Sequence, residues 1–133
     1  MKLSTRGRYG VRILLDLLLH RDGGPRLIRD IARSQQISAK YVSTLMVPLR
    51  RAGLVESVRG VKGGFRLARD ARSIPLLDII EVMEGALSIV GCVVHPKTCR
   101  RSRSCPTRNV WSRLNGRIRD EMRAVSLFDL LEK

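Results

Sequence analysis

Apolar residues recur at helical spacing near the start of the chain: Tyr9, Ile13, Leu14, Leu17 and Leu18 share one side of residues 4 to 20. Ser4 or Thr5 can cap the first turn, and Asp22-Gly23-Gly24-Pro25 stops the pattern. Ile28, Ile31 and Ala32 then align over residues 28 to 35, and Gln36-Ile37 make a short turn. Ser38 can cap a further helix running to about Arg51, with Val42, Leu45, Met46 and Leu49 as its buried stripe. Pro48 interrupts that stripe. A proline inside a helix removes a backbone hydrogen bond and costs ~3 kcal/mol, which predicts a kink or an early end near Thr44 to Val47.

Two helices joined by so short a turn predict a helix-turn-helix whose second helix enters the major groove; a plain helical hairpin is the alternative. Leu54 to Val58 then reads as a strand, Arg59 to Gly64 as a flexible turn and Phe65 to Leu67 as a returning strand, which makes the unit a winged helix. Ser73-Ile74-Pro75 opens a helix to about Glu84, with proline in its first turn, Leu76, Leu77, Ile79, Ile80 and Met83 as mostly core, and Gly85 as its stop. From Pro106 to about Arg123, Val110, Trp111, Leu114, Ile118 and Met122 line one side of a long helix and arginines the other. Following a complete small core, such a stripe predicts packing on a second copy; packing on its own domain is the rival.

The expected fold class is therefore mainly α with a small β-wing: a winged helix-turn-helix plus a long C-terminal dimerisation helix. The organisation expected is a DNA-binding domain over residues 1–85, a cysteine-bearing sensor loop over 86–105, and a dimerisation helix with a C-terminal tail over 106–133.

Charge turns this architecture towards nucleic acid. The 133 residues carry 26 Lys plus Arg against 12 Asp plus Glu, a formal net charge of +14. A polyanion is the default partner for such a surface; the alternative is a solvated arginine-rich face with no partner. The excess sits in two regions, 12 basic and 4 acidic residues in 1–60 and 8 basic with no acidic residues in 85–119. Ser38, Lys40, Tyr41, Ser43 and Thr44 at the start of the predicted recognition helix are the candidates for base and groove contact. Arg50 and Arg51 at its end suit phosphates, and Arg59, Gly60 and Lys62 at the wing suit the sugar-phosphate surface or the minor groove. A two-fold dimer would set two recognition helices about 34 Å apart, so double-stranded DNA carrying an imperfect palindrome is the expected site.

Other classes are disfavoured. No nucleotide-binding glycine motif is present, and His20 and His95 stand in no catalytic spacing with acids, so no enzymatic role is expected. No apolar run approaches the ~20 residues that span a bilayer, and the opening Met1-Lys2-Leu3-Ser4-Thr5-Arg6 lacks a signal peptide's apolar core, so a cytoplasmic location is expected. A basic winged helix serving RNA or a protein scaffold remains the rival from another class.

Three cysteines within fourteen residues add a candidate sensor. Cys92, Cys99 and Cys105 follow a C-x6-C-x5-C spacing among Lys97, Arg100, Arg101 and Arg103, cations that favour thiolates and offset the charge of a thiolate-ligated iron cluster. With His95 the same thiols also fit a Cys3His zinc site, and free or exchanging thiols are the third reading.

At this point the chain resembles the iron-sulfur cluster regulator family of winged-helix transcription factors. The resemblance rests on Lys2-Leu3-Ser4-Thr5-Arg6-Gly7-Arg8-Tyr9, Asp30-Ile31-Ala32, Ile37-Ser38-Ala39-Lys40-Tyr41, and Leu49-Arg50-Arg51-Ala52-Gly53-Leu54-Val55. It extends through Ser57-Val58-Arg59-Gly60, Gly63-Gly64 and the three cysteines followed by Trp111. It implies a dimer whose cluster state alters DNA binding, with Cys92, Cys99 and Cys105 as ligands of a 2Fe-2S or 4Fe-4S cluster. The implied signal is iron-sulfur status or redox or nitrosative stress; the alternative is a thiol-based, zinc-based or cysteine-metabolism regulator on the same fold. The chain departs from the pattern at the fourth ligand. Where one branch of the family has a histidine three residues after the third cysteine, this chain has Arg108, and where another has an N-terminal aspartate it has Arg8. His95 is one candidate replacement.

Overall fold

Ser4 caps α1 (Thr5–Leu19), its hydroxyl accepting from the Gly7 amide at 3.4 Å, and the helix buries Ile13, Leu14, Leu17 and Leu18. The computed structural model describes residues 2–132, so Met1 and Lys133, the outermost residues of the first and last predicted units, lie outside it. Helix α2 (Ile28–Gln35) ends on a left-handed Gln36 with φ 58°. That turn delivers Ser38, whose hydroxyl accepts from the Tyr41 amide at 3.1 Å and caps α3 (Ala39–Arg51). Val42, Leu45, Met46 and Leu49 are all buried, as their spacing predicts.

The early end expected near Thr44 to Val47 does not occur: α3 runs through Pro48 to Arg51. Proline removes one donor here, the amide that would reach the Thr44 carbonyl. Leu49, fully buried just beyond it, contributes ~2–3 kcal/mol by burial and holds the last turn in place, and the Leu54 amide donates back to the Leu49 carbonyl at 3.0 Å.

Strands β1 (Val55–Val58) and β2 (Gly64–Leu67) form the antiparallel wing, with Val55 opposite Leu67 and Val58 opposite Gly64. A third segment joins it: Arg26 and Phe65 exchange backbone bonds of 2.7 and 2.8 Å. Gly64 has φ 144°, and a Cβ there would lie 2.5 Å from the Arg26 carbonyl oxygen, so only glycine allows this approach.

Helix α4 (Leu76–Glu84) places Pro75 at its N-cap, one position before the first turn where the sequence suggests it. It packs most extensively on α1, where Gly10 admits the Met83 side chain; a Cβ at Gly10 would lie 2.7 Å from Met83 Cγ. The predicted sensor loop contains a four-residue helix, α5 (Gly91–Val94), and a 3-10 turn at Pro96–Thr98. The long helix α6 (Pro106–Ala124) follows. After it the chain returns to the core: Leu76 donates to the Val125 carbonyl, Leu127 donates to the Ile74 carbonyl, both at 2.8 Å, and Leu127 is fully buried.

The apolar stripe of α6 packs on its own domain only in part. Ile118 and Met122 lie on Leu77, Ile80 and Leu87 of the same chain, whereas Val110, Trp111 and Leu114 remain 41, 39 and 43 % exposed. No helix among the described residues is long and apolar enough to cross a membrane.

One buried ionic group ties the helices to the wing. The Asp16 side chain is fully buried in the apolar side of α1 and accepts from Arg26 Nε at 2.9 Å and Gln35 Nε2 at 3.0 Å. Burial alone would raise its pKa, but bonds from Arg26, Ser34 and Gln35 and the Arg26 charge outweigh it and hold the carboxyl below its ordinary value. A depressed native pKa means a stabilising contribution that is complete above about pH 4 and is lost as pH falls through the native value. Asp16→Asn should lower unfolding free energy by about 2–3 kcal/mol at pH 7, because Arg26 loses its counter-charge. Urea titrations from pH 7 to pH 3 should show this difference narrowing as the wild-type carboxylate protonates.

Candidate nucleic-acid interface and cysteine segment

The Ser38 cap fixes which side chains α3 presents. Lys40, Ser43 and Thr44 are exposed, and Thr44 Oγ1 donates back to the Lys40 carbonyl at 3.0 Å. Ser38 is exposed, but its hydroxyl is occupied by the cap. Tyr41 is half-buried: its ring meets Tyr9 edge-on at 5.9 Å and its hydroxyl donates to Thr5 Oγ1 at 3.4 Å. Tyr41 thus fastens the start of α3 to the start of α1, a contact between segments 36 residues apart that helical periodicity does not reveal. Arg50 and Arg51 are exposed at the far end of α3, where they also suit the helix C-terminus. Arg59, Gly60 and Lys62 are exposed at the wing tip, with Gly60 at φ 116°.

The three cysteines are free. Cys92 lies half-buried on α5, Cys99 is exposed after the 3-10 turn, and Cys105 is half-buried at the N-cap of α6. Cys105 Sγ stands 3.0 Å from Thr107 Oγ1. That hydroxyl, the backbone amides of Thr107 and Arg108 and the Arg101 charge favour the thiolate and lower the Cys105 pKa. His95 is exposed. The three thiols and His95 are not gathered: among the described residues no group of three His, Cys, Asp or Glu side chains stands close enough to hold a metal.

Helix α6 grips the segment that carries Cys92. Arg108 Nε donates to the Cys92 carbonyl at 3.3 Å. Asn115, 4 % exposed, accepts from the Ile89 amide at 2.9 Å and donates to the Leu87 carbonyl at 3.2 Å. The Leu87 amide in turn donates to Glu81 Oε2 of α4, which also pairs with Arg119 of α6. Sequence reasoning passed over Asn115, although its spacing from Trp111, Ile118 and Met122 places it on the inward side of the helix.

A family model, Rrf2, described as an iron-dependent transcriptional regulator, matches residues 3–133. The chain belongs to the Rrf2 family. It is similar to the protein rrf2 of Nitratidesulfovibrio vulgaris, at 38% identity over 131 residues, 98% of this chain and 87% of that relative. Among solved structures it resembles T. potens IscR, with a TM-score of 0.81, 37% identity, and coverage of 99% of this chain and 87% of that one. It also resembles CymR, described as the global cysteine regulator of B. subtilis, with a TM-score of 0.81 and 34% identity over 98% of this chain and 95% of that one. The mainly helical winged fold and the family expected from the sequence are thereby established. As an Rrf2 protein the chain is a DNA-binding transcriptional regulator rather than an enzyme.

Replacing Asn115 by Ala would leave the Leu87 carbonyl and Ile89 amide without partners in a buried setting. Chemical denaturation should show a loss of about 2 kcal/mol, within the range for orphaned buried polar groups.

Proposed function

We propose that this Rrf2 protein regulates transcription as a cytoplasmic homodimer on an imperfect palindrome, with the state of Cys92, Cys99 and Cys105 setting its affinity for DNA. The observation that carries this reading is the continuity of three parts. The cysteine segment runs directly into α6, α6 holds that segment at Leu87, Ile89 and Cys92, and the same helix leaves Val110, Trp111 and Leu114 uncovered. A second copy packed on this face would bury the apolar surface and join the two sensors to one interface.

Residues 1–85 then act as the DNA-binding unit, 86–105 as the sensor and 106–133 as the dimer unit and tail. Lys40, Ser43 and Thr44 read the major groove from the exposed side of α3, with Ser38 and Tyr41 setting the helix start. Arg50 and Arg51 neutralise phosphates, and Arg59, Gly60 and Lys62 bring the wing against the backbone or minor groove.

The chemistry of the donors fits an iron-sulfur cluster at three positions: the thiols are free, Cys105 is disposed to ionise, and arginines surround them. Such a cluster would supply redox and nitric-oxide reactivity when bound. Holding it requires Cys92, Cys99 and Cys105 to be drawn together, which would reorder the segment that Arg108 and Asn115 fasten to α6. Coupling of only ~1–3 kcal/mol changes operator occupancy five- to 150-fold.

A second reading, thiol-based or zinc-based sensing by the same cysteines, is favoured by one contact. The residue three positions after Cys105 is Arg108, a cation that donates to the Cys92 carbonyl and supplies no metal ligand. The likeness to a cysteine regulator agrees with that reading.

Anaerobic purification with metal and sulfide analysis separates the two. The cluster reading expects brown protein whose iron and sulfide are lost in Cys99→Ala; colourless protein that stays iron-free after reconstitution would overturn it in favour of thiol or zinc sensing. Dimerisation is tested independently. Trp111→Glu should weaken self-association by about 2 kcal/mol or more in sedimentation equilibrium. It should also weaken binding to a duplex selected from a random pool, and that duplex should contain an inverted repeat.

A further inference from the structure

Behind the wing, a cavity of about 510 Å³ lies between the C-terminal end of α1, β2 and the 3-10 turns at Ala71–Ser73 and Phe128–Glu132. Its floor is apolar: Leu17 and Leu18 from α1, Phe65 and Leu67 from β2, and Phe128 from the C-terminal turn. Arg21, Arg66, Arg69 and Arg72 surround that floor, and Asp70 is the one acidic lining residue.

Arg66 is ion-paired with Glu56 at 2.5 Å and Arg72 Nη1 lies 3.8 Å from Asp70 Oδ1, whereas among the described residues Arg21 and Arg69 pair with no carboxylate. Arg21 Nη1 donates to the Leu18 carbonyl at 2.7 Å, Arg69 donates to the Ser73 carbonyl, and the Arg72 guanidinium lies 3.8 Å over the Phe128 ring. Each guanidinium carries five N–H donors, so most remain available. Asp70 Oδ1 accepts from the Arg72 amide at 2.9 Å and caps the turn while offsetting only the Arg72 charge, and Glu56, which pairs with Arg66, does not line the cavity. Positive charge therefore prevails at the mouth of an apolar cleft whose size falls in the range of small-molecule sites.

We propose that this cavity binds a small organic anion, a monocarboxylate with an aryl or medium-chain acyl body. The body covers the floor, and the carboxylate lies among the guanidiniums at the mouth, with Arg69 and Arg72 as its principal partners. An inorganic anion leaves the floor wet, and a neutral molecule of the same shape leaves the arginines without a counter-charge. Phe65 and Leu67 belong to the wing strand, and Phe65 is laddered to Arg26, so occupancy bears directly on the wing. The inference is independent of the cysteine chemistry and of dimerisation.

Calorimetric titration of the full chain with phenylacetate and decanoate tests it, with phenylacetamide and inorganic phosphate as matched probes. Saturable binding of a carboxylate at one site per chain is expected, with the amide and phosphate binding at least about tenfold more weakly. Amide resonances of Leu17, Phe65, Leu67 and Phe128 should shift in two-dimensional nitrogen-proton spectra. Arg69→Gln combined with Arg72→Gln should weaken binding about tenfold or more, while Arg72→Lys, which keeps the charge, should weaken it less. Circular dichroism identifies folded variants. No saturable binding of either carboxylate, equal binding of the amide, unchanged affinity in the folded double variant, or shifts confined to Val110, Trp111 and Leu114 would each overturn the proposal.

Discussion

The Asp16 carboxylate, fully buried on the apolar side of α1, is the constraint on which the DNA-facing half depends. A charge removed from water is tolerated only when its partners replace the lost hydration. Besides His20 at the end of α1, 3.5 Å from Asp16 Oδ1, its partners come from two places: Arg26 from the segment before α2, and Gln35 with Ser34 from the last turn of α2. Satisfying one acid therefore fixes both ends of α2 relative to α1. Arg26 then extends the constraint, because its backbone pairs with Phe65 and makes a third strand-like edge for the wing. The left-handed Gln36 follows Gln35 directly and sets the entry of α3. The orientation of the recognition helix and that of the wing thus descend from the same buried group, which gives a two-element DNA reader its fixed span.

The five longer helices were legible because their apolar residues repeat at helical spacing and their ends carry Ser4, Ser38 and Gly85, and the hairpin because the glycine-rich 59–64 turn separates two short strands, whereas the four-residue α5 lay inside the expected loop. Asp16 was not, since a periodicity reading assigns a charged residue to the solvent side, and only tertiary partners explain its burial. Asn115 was overlooked for the same reason, although its spacing placed it inward. Pro48 presents the opposite case, because one of its two expected outcomes, the early end, does not occur. Its local cost is real, but burial of Leu45, Met46 and Leu49 outweighs one missing hydrogen bond near the end of a 13-residue helix. Local rules failed wherever a polar contact or a packed neighbour distant in sequence decided the outcome.

In the cysteine segment, sequence and structure each supply a different part. Spacing marks the donors, and the fold shows what surrounds each one. Cys105 sits where helix amides and the Thr107 hydroxyl favour its thiolate, Cys99 is open, and Cys92 rides on a single turn of helix. Three such different settings do not define a preassembled metal site. They describe a segment held mainly by its own short-range bonds, among them those of Ser102 to the Pro96 and Cys99 carbonyls, so gathering the thiols would rearrange local turns rather than the apolar core.

In the proposed sensing role, helix α6 would carry a local rearrangement of the cysteines over a longer reach. Its C-terminal half is fixed to α4 through Ile118, Met122 and the Arg119–Glu81 pair, and α4 is packed on α1. Its N-terminal half has Cys105 at its cap, holds Cys92 through Arg108 and carries the uncovered Val110, Trp111 and Leu114. A rearrangement of the cysteines would therefore act on the end of the helix that faces solvent, while the other end is packed on α4. In a two-fold dimer built on that exposed half, a small reorientation at the cap would be doubled by symmetry and transmitted through the locked half to both recognition helices. The division of one apolar stripe into a fixed half and a free half is what makes such transmission mechanically available.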